Sequence, residues 1–159
     1  MEYYRSRIGY ARDARIEDIA SLKDNLRASS VDELWAVHHY TPEQSLIWSF
    51  SNSVFIFSIV VEDEVYAMGG ILRPKDILSE KASLWFLSSQ KLDKVERSFL
   101  RQCKAFMKTM LDLYPVLYNY VDIRNEPAIR WLKWIGARFG DVHVFGIDNR
   151  PFVYFEFKR

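Results

Sequence analysis

The sequence predicts an α/β (α+β) fold in which helices flank a mixed central sheet of about seven strands. Short runs rich in β-branched and aromatic residues alternate along the chain with segments whose apolar residues recur at helical spacing. Residues 113–140 show the pattern most clearly, as a strand, a helix cap, a helix, a stop and a new strand. The 159 residues are therefore expected to form one domain, residues 1–159.

The first half of the chain is expected to supply a strand, three helices and a hairpin. A strand is predicted at 7–12 and helices at 13–27, 31–40 and 41–50. Two apolar runs, 54–61 and 65–72, surround the polar residues 62–64 and predict the hairpin. Gly69 and Gly70 inside its second strand indicate a bulge or a close approach of two backbones.

The second half is expected to alternate strands and helices. Strands are predicted at 82–87, 116–123, 142–147 and 152–157, and helices at 94–114 and 125–136. A long apolar stripe on the first of these helices predicts that it packs along the sheet. Asn125 is a typical N-cap for the second helix, and Gly136 is a typical stop. The connection from 82–87 to 116–123 is expected to be a right-handed crossover between parallel strands.

Composition excludes several classes of protein. A net charge of +1 provides no electrostatic footprint for nucleic acid or for an anionic membrane, so neither is an expected partner. No apolar run is long enough to span a bilayer, and the N-terminus lacks the apolar core of a secretory signal. With a single cysteine, Cys103, the chain cannot form an internal disulfide. A cytoplasmic protein is expected.

Three stretches resemble the GNAT (N-acetyltransferase) fold family. The stretch RIGYARDARIEDIASL resembles the first strand and helix of that family, and VVEDEVYAMGGI resembles its central hairpin. The third is VLYNYVDIRNEPAIRWLKWIGARF, which resembles the late strand and helix. The resemblance covers nearly the whole chain and implies a GNAT-like sheet with acetyl-CoA as the cofactor.

A closer resemblance is to a GNAT-like family in phages, which includes the small internal virion protein of T-seven-like short-tailed phages. It is carried by WFLSSQKL at 85–92, YNYVDIRN at 118–125 and IRWLKWIGARF at 129–139. This resemblance implies a protein of the infected host's cytoplasm, with packaging into the phage particle left open.

The GNAT resemblance places an acyl-CoA site in the cleft that follows the strand at 82–87. It implies these cofactor-binding residues: Phe86, Leu87, Ser88, Ser89, Lys91, Lys94, Arg97 and Asn125. The family's phosphate-binding segment carries glycines, which let backbone N–H groups approach the phosphates. The corresponding segment here has no glycine, and Asp93 and Glu96 would face the phosphates. An ordinary helix capped by Ser89 or Asp93 is the alternative.

The catalytic candidates are Asp122 and Tyr120. Many GNAT enzymes use a tyrosine on the late helix to protonate the leaving thiolate, but aligning Asn125 and Gly136 places Leu132 at that position, and leucine cannot donate a proton. Asp122, near the carboxyl end of a central strand, is the candidate base, and Tyr120 could replace the missing tyrosine. Pairing of Asp122 with Arg124 is the alternative to the catalytic role.

A candidate interaction surface lies on the late helix. Trp134 falls away from the apolar face of that helix, with Lys133 beside it and Arg130 and Trp131 nearby. An exposed tryptophan beside cations indicates a protein interface. Cover from the C-terminal hairpin is the alternative, and a homo-oligomer is left open.

The remaining chemistry-bearing residues favour packing over catalysis. His38, His39 and His143 do not have the spacing of metal ligands, so no metal is expected. Cys103 falls on the apolar stripe of its helix, which favours a core position over a nucleophile.

Two functions of different classes therefore remain open. One is a phage GNAT-fold protein with a degenerate acyl-CoA site that works as an internal virion or host-interaction component. The other is an active acetyl-CoA-dependent N-acetyltransferase acting on an amine of a small molecule or host protein.

Overall fold

The structure, a computed structural model, describes residues 1–95 and 97–159, with the backbone only for 97–100. It is a mixed eight-stranded sheet with five α-helices. The strands are β1 Glu2–Arg5, β2 Gly9–Asp13, β3 Ser53–Val61, β4 Glu64–Leu72, β5 Lys81–Ser88, β6 Val116–Asp122, β7 Arg138–Phe145 and β8 Arg150–Lys158. The helices are α1 Glu17–Leu22, α2 Ala28–His38, α3 Pro42–Asn52, α4 Arg97–Leu113 and α5 Glu126–Ile135. Among the described helices none is long and apolar enough to span a membrane.

The strands lie in the order β1-β2-β3-β4-β5-β6-β8-β7. The pairing of β5 with β6 is parallel, as predicted, and the other pairings are antiparallel. The predicted α/β fold class is confirmed, with one strand, β1, that the sequence did not indicate.

Two hydrophobic clusters lie against the sheet. The larger cluster joins β3–β6 and β8 to α4 and α5, and its α4 members are Phe106, Met107, Met110 and Leu111. This confirms the predicted apolar stripe for the described part of that helix. The smaller cluster packs Ile19, Leu22 and Leu46 of α1 and α3 against β3, β4 and β5.

The helix predicted at 13–27 is wrong at both ends. Asp13 belongs to β2, opposite Phe57 of β3, so the chain is still extended there. Ile16, inside the predicted helix, is 55% exposed and precedes the observed helix. At the other end, Leu26 forms an antiparallel bridge with Ser89, which holds the chain extended after α1. Pairing with distant strands therefore overrides the local helical periodicity.

Other boundaries also move. The serines at 29 and 30, expected to separate two helices, lie in the first turn of α2. A short 3₁₀ helix, Gln90–Lys94, precedes α4, which begins at Arg97 rather than at 94. The strand predicted at 142–147 runs from Arg138 to Phe145.

The glycines of β4 allow a close approach of three strands. A Cβ added at Gly70 would lie 2.4 Å from the backbone oxygen of Phe55, and one at Gly69 would lie 2.7 Å from the ring of Phe57. The β3–β4 register is irregular between Ser53 and Phe55 and between Ile59 and Val60, whereas Gly69 and Gly70 lie in regular register opposite Phe57 and Ile56. Of the two predicted alternatives, the close approach is therefore the correct one at Gly69 and Gly70.

Candidate functional site

The candidate site is the cleft where β5 and β6 separate. The two strands pair only from Lys81 to Ser83, opposite residues 116–118, and both then continue without pairing to each other. The side-chain amide of Asn119 crosses this gap and donates to the backbone oxygen of Leu84, 2.5 Å away. Because backbone groups alternate in direction along a strand, the N–H and C=O of Phe86 also point into the cleft. The cleft thus offers hydrogen-bonding groups to a ligand.

A cavity of about 570 Å³ occupies this cleft. It extends from α4 and α5 on one side of the sheet to α2 and α3 on the other, and its walls are mostly apolar and aromatic. Leu34 and Val37 of α2 contribute to these walls. The volume is in the range that small-molecule sites occupy. The hydroxyl of Ser45, also at the wall, is buried and has no hydrogen-bond partner among the described residues.

Aromatic rings narrow the cleft. The indole of Trp131 stacks on the ring of Phe86, with centroids 5.2 Å apart and planes inclined by 24°. Trp131 was predicted to contribute to the exposed surface around Trp134, but it points into the cleft instead. Trp134 itself is 46% exposed and Arg130 is exposed, while the Lys133 ammonium lies 5.6 Å from the ring centroid of Phe139.

Internal partners occupy the polar groups of the segment that follows β5. The Ser89 hydroxyl accepts from the backbone N–H of Lys91 at 3.2 Å, which caps the short 3₁₀ helix. The buried Ser88 hydroxyl accepts from Nε of Arg27 at 3.0 Å. The Lys91 ammonium pairs with Glu64 at 2.5 Å, and Asp93 pairs with Arg27. The capping role of Ser89 agrees with the structural alternative to a phosphate site.

The other predicted cofactor-binding residues are distributed around this segment. Phe86, Leu87 and Asn125 line the cavity, whereas Lys94 is exposed and does not line it. Glu96 and the side chain of Arg97 lie outside the described residues. Leu132, at the position that the family's tyrosine would occupy, is buried and lines the cavity.

The two catalytic candidates differ in their surroundings. Asp122 is 3% exposed and accepts hydrogen bonds from the guanidinium of Arg124 at 2.6 and 3.0 Å. The hydrogen bond from Arg124 lowers the pKa of Asp122, and burial opposes this only in part. The carboxylate is thus held as an ion-pairing group, which makes it a weaker base. Tyr120 lines the cavity, and its ring stacks on Phe145 with centroids 5.0 Å apart.

Glu33 of α2 is a candidate that the sequence analysis missed. Its Oε1 accepts a hydrogen bond of 2.9 Å from Nδ2 of Asn125, the N-cap of α5. Burial raises the pKa of Glu33 to about 7, although the hydrogen bond from Asn125 acts in the opposite direction. It lines the main cavity and also a second cavity of about 270 Å³ beside Asp122 and Arg124. A half-buried carboxyl with a pKa near neutrality, at a cavity wall, is typical of a functional site.

One histidine, His38, and the single cysteine, Cys103, also line the cavity. Among the described residues, no three His, Cys, Asp or Glu side chains are grouped so that they could hold a metal ion. Burial raises the pKa of the Cys103 thiol, which keeps it protonated, and its sulfur lies 3.8 Å from the hydroxyl of Tyr4.

Comparison with known proteins decides the family. The family model described as "Bacteriophage T7, probable scaffold protein Gp13" matches residues 56–144, more than half of the chain. The chain belongs to this Gp13 family. The probable scaffold protein gp13 of Escherichia phage T7 is 34% identical over 64 residues, which are 38% of this chain and 46% of that protein. The match therefore spans less than half of that relative's length.

Solved structures show that this member of the Gp13 family has the GNAT fold. The GNAT-family acetyltransferase from Bacillus anthracis matches with a TM-score of 0.71 over 99% of this chain and 98% of that chain, at 14% identity. A ribosomal protein L7/L12 acetyltransferase in complex with coenzyme A gives a TM-score of 0.73 with the same coverage, at 7% identity. At these identities the likeness shows the fold alone, and the expected GNAT resemblance is confirmed at that level.

Proposed function

We propose that this Gp13-family protein acts in phage particle assembly, as an internal virion or host-interaction component, and that its cleft does not transfer acetyl groups. The observation that carries the proposal is the segment after β5. The hydroxyls of Ser88, at the end of β5, and of Ser89 accept hydrogen bonds from groups of the same chain. The charged groups of Lys91 and Asp93 form ion pairs within the chain.

A pyrophosphate needs free backbone N–H groups and cations, because it brings several negative charges into a partly desolvated site. In this chain the 3₁₀ helix after β5 has only five residues, and its Asp93 would repel the phosphates. Lys91 could bind a phosphate only if its exposed ion pair with Glu64 were broken. These features disfavour binding of acetyl-CoA in the cleft.

The relatives support the assembly role. The curated relative is a probable scaffold protein, and the proposal transfers an assembly role of this kind to the present chain. The exposed Trp134, Lys133 and Arg130 of α5 are then the proposed contact for a protein partner, since an exposed tryptophan beside cations is typical of interfaces.

Acetyl-CoA is expected to leave the melting temperature of the purified protein unchanged, even at about 1 mM ligand. A site with a dissociation constant of about 10 μM would add about 2.7 kcal/mol of stability at that concentration, which is easily detected. Differential scanning fluorimetry, with a GNAT acetyltransferase as the positive control, measures this shift. A saturable shift that grows with ligand concentration would contradict the proposal.

Particles of the phage that encodes this protein are expected to contain it at a constant ratio to the major capsid protein, in mature or in precursor particles. Quantitative mass spectrometry of gradient-purified particles measures the ratio. Abundant host cytoplasmic proteins serve as the control for contamination, since their ratio should fall with each purification step. A protein that follows these contaminants is not a particle component.

Acyl transfer is the second candidate, and Glu33 is the observation in its favour. A carboxylate with a pKa of about 7 could accept the proton of an acceptor amine as the nitrogen attacks the thioester carbonyl and the coenzyme A thiolate leaves. If the protein is an acetyltransferase of this kind, it must bind acetyl-CoA, and Glu33→Gln must lose acetyl transfer. A radiolabelled acetyl-transfer assay on basic peptides, run beside the melting experiment, distinguishes the two functions.

A further inference from the structure

The α2–α3 lobe is the part of the main cavity that lies between α2, α3 and the sheet. Leu34 and Val37 of α2 and Trp48 of α3 contribute to its helix side, and Trp85 of β5 contributes to its sheet side. The side chain of Trp85 belongs to the smaller hydrophobic cluster, which packs α1 and α3 against the sheet, and α2 contacts α3. These four side chains therefore lie on the same side of the sheet.

A buried hydroxyl in the wall of this lobe has no hydrogen-bond partner among the described residues. It belongs to Ser45 of α3, which is 4% exposed and lines the cavity. The indole N–H of Trp85 is not available to it, because that group donates to the hydroxyl of Ser53 at 2.9 Å. Buried polar groups almost always have a partner, since a missing hydrogen bond lowers stability. A ligand in the lobe could supply the partner of Ser45.

Aromatic rings surround the opening of the lobe. The ring of His38 stacks on that of Tyr40 with centroids 5.2 Å apart, and it lies 6.5 Å from the ring of Trp48. All three side chains line the cavity, and those of His38 and Trp48 are also exposed to solvent. Aromatic side chains pair preferentially with other rings in stacked or edge-to-face arrangements. The lobe therefore favours a ligand with an aromatic ring.

The charged side chains of the cavity wall are bound within the chain. Among the described residues they are Arg27, Asp93 and Glu33. Arg27 pairs with Asp93, and Glu33 is held toward α5 by its hydrogen bond with Asn125. A charged ligand beside α3 would lose its hydration without gaining an opposite charge. The lobe therefore favours an uncharged ligand.

We propose that the α2–α3 lobe binds a small uncharged aromatic molecule that carries one hydrogen-bonding group. Its ring lies among Tyr40, Trp48 and Trp85, and its polar group bonds to the hydroxyl of Ser45. The whole cavity, at about 570 Å³, has the size of a small-molecule site. This binding requires neither acetyl-CoA nor a partner protein, so it is independent of the proposed assembly role.

Isothermal titration calorimetry of the purified protein, with indole as the probe, tests this site. Indole is expected to bind with a dissociation constant at or below about 1 mM. Ser45→Ala should weaken the binding about tenfold, because the indole N–H loses its acceptor. The variant should fold normally, since it removes a hydroxyl that has no partner. Ser51→Ala, at an exposed position of α3, is the matched control and should bind indole like the unchanged chain.

Analogues of indole test the chemistry of the ligand. N-methylindole lacks the N–H, so the unchanged chain and Ser45→Ala should bind it equally. Tryptamine carries an ammonium group and cyclohexanol has no aromatic ring, so both should bind more weakly than indole.

Three results would overturn the proposal. The first is no detectable binding of indole up to about 5 mM. The second is indole binding that Ser45→Ala leaves unchanged, because the ring would then bind at another place. The third is binding of tryptamine or cyclohexanol as tight as that of indole, because the site would then not select an uncharged aromatic ring.

Discussion

Replacing Asp18 by alanine is expected to destabilise the fold by about 3 kcal/mol, because it leaves the half-buried guanidinium of Arg12 without its partner. Asp18 is 4% exposed and forms two hydrogen bonds with Arg12, at 2.8 and 2.9 Å. It also accepts from the hydroxyl of Ser58 at 2.7 Å and from the backbone N–H of Arg15 at 2.8 Å. One carboxylate thus connects β2, α1 and β3.

Urea denaturation at neutral pH measures the loss. Asp24→Ala is the matched control, since Asp24 is exposed just after α1 and its removal should change the free energy of unfolding by less than about 0.5 kcal/mol. An equal and small effect for both variants would show that the Asp18 network contributes little.

The contribution of Asp18 should also depend on pH. Burial opposes ionisation, but the hydrogen bonds from Arg12, Arg15 and Ser58 outweigh it, and the pKa of Asp18 is lowered. A lowered pKa means that the stabilisation is present at neutral pH and is lost as the pH falls through the pKa of the folded state. The difference between the unchanged chain and Asp18→Ala should therefore shrink in acid.

Replacing Glu33 by glutamine is expected to stabilise the protein above neutral pH by up to roughly 3 kcal/mol. The folded-state pKa of Glu33 is raised from 4.5 to about 7, so ionisation costs more in the fold than in the unfolded chain. This cost is absent below about pH 4.5, where both states are protonated, and is complete above about pH 7. Glutamine has a similar shape, can still accept from Asn125 and never ionises.

Unfolding free energies at about pH 5 and about pH 8 test this, because the advantage of Glu33→Gln should be small at the lower pH and large at the higher one. Glu80→Gln, at an exposed loop position, is the control. A difference between Glu33→Gln and the unchanged chain that is the same at both pH values would contradict a raised pKa. Glu33 would then lose its main feature as a candidate base.

Features that depend on neighbouring residues were predicted correctly from the sequence. Asn125 caps α5 by accepting from the N–H of Ala128, and Gly136 ends the helix with a φ of 114°. Both effects act within one turn of helix, so the residue types alone indicate them. The same holds for the β3–β4 hairpin around Glu62 and Asp63.

Features that depend on distant partners were missed or placed wrongly. β1 was not indicated, and the helix expected from residue 13 starts at Glu17 because β3 holds Asp13 in an extended strand. Glu33 became a candidate only because the fold buries it at a cavity wall, beside Asn125, which is 92 residues away in the chain. Trp131 was assigned to the outer surface, whereas its stacking on Phe86 turns it into the cleft.

The sequence by itself determined the order of strands and helices from β2 onward, the apolar stripe of α4 that packs on the sheet and the absence of a hydroxyl at Leu132. Only the tertiary structure decided what the cleft contains, because ionisation, pairing and cavity volume depend on groups brought together from distant parts of the chain. The segment after β5 shows the difference most clearly. The sequence indicates only that Lys91 is a cation that could bind a phosphate, whereas in the fold its ammonium forms an ion pair with Glu64.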